Sequence, residues 1–185
     1  MITDPLVPLI SRLKITPDIM TAIGVLINLV AAVVVGFGYL VAGALIFLLA
    51  GLFDLLDGAL ARYMEKTSSF GAIFDSTADR FTEGALFLSF IFITGPGVWP
   101  YDITWQLVLI FLAMIGSFLT SYIRARAEGL NIDCTVGLFT RVERVIILAL
   151  GLLLNQVFIA LAIVVVLSFV TAGQRFVHVW RQVRK

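Results

Sequence analysis

Four stretches of this chain carry no charged residue: Ile19 to Phe53, Gly84 to Tyr101, Ile103 to Ile123 and Val145 to Gln174. Nothing else in the sequence constrains the fold as strongly. A helix needs roughly 20 mostly apolar residues to cross the hydrocarbon core of a bilayer. In that core only helices and closed barrels satisfy every backbone polar group. The first and last stretches are long enough for more than one crossing, with Gly, Asn or Gln where a turn would fall. Composition agrees: 61% of the residues are hydrophobic and 14% charged, against about 45–50% apolar for a soluble domain. The expected fold class is all-α and integral to the membrane, with six transmembrane helices and a short N-terminal amphipathic juxtamembrane helix.

Residues 1–185 are expected to form one domain, with 1–15 as the juxtamembrane segment and 16–185 as the six-helix bundle. Asp4 to Lys14 mixes Leu6, Leu9, Ile10 and Leu13 with Ser11, Arg12 and Lys14, a composition suited to the interface. Pro17 starts the first span, with Thr16 or Asp18 as its cap. The expected spans are Pro17 to Phe37, Val41 to Arg62, Phe70 to Ile93, Thr104 to Arg126, Phe139 to Leu154 and Gln156 to Trp180. Trp99, Tyr101 and Trp105 suit an interfacial aromatic belt. No signal peptide is expected ahead of the first span, which is expected to serve as the targeting signal itself.

All 13 Lys and Arg residues fall on one side of this layout. By the positive-inside rule that side is cytoplasmic. Both termini and the charged motif described next are therefore expected to face the cytoplasm of a multi-pass plasma-membrane protein. The single Cys134 cannot form an internal disulfide, and reads as an ordinary loop thiol.

The motif runs from Asp54 to Asp79. Asp54 and Asp57 are spaced i, i+3; Asp75 and Asp79 are spaced i, i+4. On helices each pair shares a face, and two neighbouring helices would aim all four carboxylates at one point. Like charges repel and burial disfavours ionisation, so the set calls for divalent cations. Oxygen-only donors favour Mg²⁺, Mn²⁺ or Ca²⁺ over zinc. The lone His178 and Cys134 cannot build a nitrogen or sulfur site. Carboxylate pairs holding two metals stabilise displacement at phosphorus. Gly58 and Ala61 are small enough to let a nucleotide approach the backbone, Arg62 suits a phosphate contact, and Gly71 opens space opposite. The plainer reading of the three small residues is helix packing.

The pattern Asp54-x2-Asp57-Gly58-x2-Ala61-Arg62-x8-Gly71-x3-Asp75-x3-Asp79 resembles the complete signature of the CDP-alcohol phosphotransferases. The resemblance extends to the six-helix layout. It implies metal-dependent transfer of a phosphatidyl-type group from a CDP-lipid, CDP-diacylglycerol or CDP-archaeol, to an alcohol, with release of CMP. It makes Asp54, Asp57, Asp75 and Asp79 the ligands of two Mg²⁺ or Mn²⁺ ions, and Asp79 the general base. Gly58, Ala61, Arg62 and Gly71 would line the CDP site. The Pro17 to Thr21 segment resembles the family's first span, so that Thr21 would approach the nucleotide; a helix-surface hydroxyl is the alternative.

Arg124, Arg141, Arg144 and Arg175 lie near helix ends on the cytoplasmic side. Three such ends could converge on one anion beside the metal site, or serve as positive-inside anchors. SYIRARAE, RVER and Asp79-Arg80 resemble the branch that uses inositol phosphate, which would make Arg124, Arg144 and Arg175 acceptor-phosphate ligands. That branch's pattern has Lys where this chain has Arg124, which keeps the charge and changes its geometry. The expected acceptor is inositol 1-phosphate. The alternatives are glycerol 3-phosphate as acceptor and, in another class, a small cation transporter, which would leave Gly58, Ala61 and Arg62 unexplained. The resemblance also implies a homodimer in membrane lipid; no nucleic-acid partner is expected.

Overall fold

The structure, a computed structural model, describes residues 16–64, 68–93, 99 and 102–184, with backbone alone at 61 and 62. The juxtamembrane segment, Lys66, Tyr101 and most of the Gly95–Pro100 loop lie outside the described residues. Among the described residues there are six helices and no strand: α1 (Pro17–Gly36), α2 (Leu40–Tyr63), α3 (Ser69–Ser89), α4 (Ile103–Glu128), α5 (Arg141–Leu153) and α6 (Val157–Val183). They fall into two compact units divided between Ser89 and Phe90.

In the N-terminal unit, α1 packs against both α2 and α3. Thr16 caps α1, its side chain accepting from the Ile19 N–H, and Pro17 occupies the first turn, where its missing N–H costs nothing. The α1–α2 hairpin turns through Gly38, at φ 88°, a left-handed conformation that suits glycine. Gly43 then lets α2 approach so closely that a Cβ there would run into the Val35 side chain. Ser68 caps α3 by accepting from the Gly71 N–H at 2.9 Å.

In the C-terminal unit, α6 packs on α4 and on α5. Gly116 faces Ser168 and Phe169, and Gly151 faces Ala160, both without room for a further methyl. Asp102 caps α4 through the Thr104 and Trp105 N–H groups. Trp105 is exposed, as a belt residue should be, while Trp99 meets Phe158 edge-on at 6.4 Å.

α1, residues Leu40–Leu60 of α2, α4 and α6 are long and apolar enough to cross a membrane. The other two expected spans differ in ways their sequences explain. α3 carries Asp75, Asp79, Arg80 and Glu83 and ends at Ser89 rather than Ile93. Beyond it, the Phe90 and Ile93 carbonyls both accept from the buried Gln106 side chain, at 2.8 and 3.2 Å. A side-chain amide thus replaces the helical partners that continuation of α3 would have supplied. α5 has only 13 residues, or about 20 Å of rise against a hydrocarbon core of about 30 Å.

Candidate active site

The motif carboxylates come from the C-terminal part of α2 and the N-terminal part of α3. One oxygen from each of Asp54, Asp57 and Asp75 lies within 4.8 Å of the other two. Asp57 is buried, while Asp54 and Asp75 are half-buried. α1 contributes a donor: the Thr21 hydroxyl lies 2.6 Å from Asp57 Oδ2 and also 3.2 Å from the Pro17 carbonyl. The hydroxyl fixes the orientation of Asp57, and so holds one corner of the cluster from a third helix. Thr21 was expected either near a nucleotide or as a helix-surface hydroxyl; in the structure it is buried and bonds to the carboxylate cluster.

Three acidic groups gathered this closely suit a hard divalent cation. The donor set is all oxygen, partly removed from water, with one carboxylate oriented by a hydrogen bond from outside the set, as metal-binding carboxylates commonly are. The residues present therefore fit the divalent metal that the motif implies.

Asp79 is not one of the three converging residues. It is buried one turn beyond Asp75, and its Oδ2 lies 3.4 Å from Arg80 Nη1, which also donates to the Ser76 carbonyl at 2.7 Å. Gly58 is half-buried on α2. Ala61 and Arg62 lie on the same helix, and their side chains are outside the described residues. A Cβ at Gly71 would come 3.1 Å from Ser68 Oγ and 3.2 Å from Asp18 Oδ1. Gly71 therefore leaves a tight gap between the starts of α1 and α3, where the sequence suggested open space.

The arginines belong to the C-terminal unit. Arg144, 3% exposed, and Arg175, 5% exposed, come together at Thr120 of α4. Arg144 Nη1 donates to the Thr120 hydroxyl at 3.3 Å, and Arg175 Nη1 donates to the Thr120 carbonyl at 2.6 Å. Arg175 Nε donates to the Val136 carbonyl at 2.9 Å. Both partners of Arg175 are neutral carbonyls, and among the described residues no carboxylate lies within ion-pair distance of it. A buried cation held by neutral groups is suited to a bound anion. Arg144 follows Glu143, which accepts from the Thr140 N–H at 2.7 Å and so sets the start of α5. Arg141 is half-buried on that first turn. Arg124, expected with Arg144 and Arg175, is exposed, and its Nε donates to Glu128 at 2.7 Å.

Sequence reasoning missed Thr120 and the 136–139 backbone. A threonine within an apolar span is usually a packing residue, and a carbonyl leaves no trace in a sequence.

The family model for CDP-alcohol phosphatidyltransferases matches residues 14–173, which include every position of the carboxylate motif. This chain belongs to that family. As a CDP-alcohol phosphatidyltransferase it is 34% identical over 183 residues to an archaetidylinositol phosphate synthase of Methanothermobacter thermautotrophicus, covering 96% of this chain and 89% of that one. Among solved structures it resembles the Mycobacterium tuberculosis phosphatidylinositol phosphate synthase with CDP-DAG bound, with a TM-score of 0.84 and 30% identity over 97% of this chain and 94% of that one. The same enzyme in complex with manganese and citrate matches with a TM-score of 0.84 and 29% identity, covering 96% and 88%. The CDP-alcohol phosphatidyltransferase family thus accounts for the carboxylate cluster and for the membrane-spanning helices together.

Proposed function

We propose that this membrane enzyme transfers the phosphatidyl-type group of CDP-diacylglycerol or CDP-archaeol to inositol 1-phosphate, giving the phosphatidyl- or archaetidylinositol phosphate and CMP. The convergence of Asp54, Asp57 and Asp75 within the complete family motif carries this reading. Asp54, Asp57, Asp75 and Asp79 would hold two Mg²⁺ or Mn²⁺ ions. When bound, such ions offset negative charge on the diphosphate oxygens.

The chain's own residues do the rest. Thr21 orients Asp57. Asp79 accepts the proton of the acceptor hydroxyl, whose oxygen forms a bond to the β-phosphorus as the bond to CMP breaks. Gly58, Ala61, Arg62 and Gly71 line the donor's nucleotide site. The acceptor's phosphate is held by Arg144 and Arg175, with Arg124 and Arg141 adding positive charge. The burial of Arg175 on neutral carbonyls, with Arg144 buried beside it at Thr120, supports a phosphorylated acceptor over a neutral alcohol.

The two compact units act as one catalytic domain in this reading, since the family match runs across both. We infer six spans in the plasma membrane, and the one-sided placement of Lys and Arg supports cytoplasmic termini and a cytoplasmic active site. A homodimer is the expected assembly, testable by crosslinking in membranes.

The deciding experiment supplies the purified protein with CDP-diacylglycerol or CDP-archaeol and, in turn, inositol 1-phosphate or glycerol 3-phosphate, and measures CMP release. Turnover with inositol 1-phosphate is expected. Turnover with glycerol 3-phosphate alone would overturn the acceptor assignment, and metal flux without CMP release would overturn the enzyme reading.

A further inference from the structure

Thr120 is fully buried on α4, and its two oxygens serve different arginines. Its hydroxyl proton goes to the Ser117 carbonyl at 2.8 Å. The hydroxyl is therefore oriented with lone pairs available to Arg144, as it would be in any helix where a threonine bonds back to the preceding turn. Its carbonyl meets Arg175. One residue thus fixes guanidinium groups that come from two other helices.

The segment between α4 and α5 supplies the other side of the frame. α6 holds its backbone at four points. Thr171 accepts from the Phe139 N–H at 3.1 Å and Gln174 accepts from the Leu138 N–H at 3.2 Å. Arg175 donates to the Val136 carbonyl and Gln182 donates to the Asp133 carbonyl at 3.2 Å. Residues 171, 174, 175 and 182 share one face of α6, and they engage the segment in reverse order. Gly137, at φ 138°, sits within this frame, where a Cβ would press on Thr171 and on Arg175 Nε at 3.2 Å.

We infer that Thr120 is a positioning residue for the acceptor's phosphate, tying Arg144 and Arg175 to a single buried point so that both are ordered before the anion arrives. This rests on the reading of those arginines as acceptor-phosphate ligands. An arginine left free must lose its rotamer freedom on binding; one already held does not, and affinity gains by that difference. Thr120 touches neither the hydroxyl that reacts nor the donor in this scheme, so its loss should weaken acceptor binding without slowing the chemical step.

The test compares Thr120→Val, Thr120→Ser, Arg144→Ala and Arg175→Ala in the full-length enzyme, in one lipid mixture. It measures kcat, the KM for inositol 1-phosphate, the KM for CDP-lipid and the melting temperature. Thr120→Val should raise the acceptor KM about tenfold, the loss of one hydrogen bond to a charged group. kcat and the CDP-lipid KM should stay within about twofold, and Thr120→Ser should restore the acceptor KM. If the arginine variants raise the acceptor KM and Thr120→Val does not, the inference falls and the arginine reading stands. If the arginine variants leave the acceptor KM unchanged, the reading beneath it falls. A Thr120→Val enzyme that loses melting temperature and affinity for both substrates together, unrescued by serine, would make Thr120 a packing residue and overturn the inference. Should Thr120→Val not fold, Gln174→Ala probes the same frame from its solvent side. An acceptor KM raised about threefold is expected there, again with kcat unchanged, and an unchanged KM would count against the frame.

Discussion

The two units solve the problem of concentrated charge in opposite ways. The N-terminal unit gathers carboxylates from two consecutive helices: Asp54 and Asp57 share a helix face, Asp75 lies in the second turn of the next helix, and Thr21 reaches in from α1. The C-terminal unit gathers guanidinium groups whose partners are remote. Arg144 reaches a residue 24 positions away, and Arg175 reaches residues 39 and 55 positions away. Carboxylates at helix spacing can be collected by two short segments and neutralised by a cation. Arginines held by carbonyls need three helices and a loop to be in place first. One site follows from spacing, the other from tertiary structure.

The contrast can be broken most sharply at Asp79. Replacement by Asn should abolish CMP release, a loss of at least about a thousandfold for a required base, while the melting temperature holds. Retained turnover would remove Asp79 from the chemistry. Arg144→Ala should raise the acceptor KM on the order of a hundredfold, the scale for truncating a buried charged partner. CDP-lipid KM should change little; equal loss for both substrates would argue against separate donor and acceptor sites. Thr21→Val removes the hydroxyl that orients Asp57, and should raise the Mg²⁺ or Mn²⁺ concentration for half-maximal activity about tenfold. This isolates the contribution of α1 to the carboxylate site. Gly137→Ala places a side chain at positive φ against Arg175, and should lower stability by about 1–2 kcal/mol, read as a fall in melting temperature. The smallest effect is at Cys134, which is buried in the C-terminal unit. Burial raises its thiol pKa above the ordinary value, so less thiolate is present at any pH below it. Alkylation in the folded enzyme should be slow at pH 8, and fast only after denaturation.

How much was legible in the sequence follows the same division. Asp54 and Asp57 were readable as sharing a face because helix periodicity alone brings them there; that Asp75 joins them while Asp79 does not depends on how the two helices meet. α1, α2, α4 and α6 were readable as spans because charge-free length is a one-dimensional property. The early end of α3 was not, since it depends on Gln106 reaching back to two carbonyls from the next helix. Grouping Arg124 with Arg144 and Arg175 used charge and helix position alone, and left out a further local signal. Glu128 lies four residues on, and the i, i+4 pair it makes with Arg124 is the interaction the structure shows. Thr120 was illegible for the reverse reason: nothing about a threonine in an apolar helix says that two arginines from later in the chain will end on it.

Arg175 carries one more consequence. Its guanidinium joins α6 to α4 through Thr120 and to the connecting segment through Val136. The group proposed to recognise the acceptor is thus also a fastener between parts of the protein. Binding at Arg175 and the persistence of the C-terminal unit become linked equilibria: an anion that binds there should make this half of the protein harder to unfold. A change of acceptor preference made at this residue would carry a cost in stability, so specificity is freer to drift at neighbouring positions that hold nothing together.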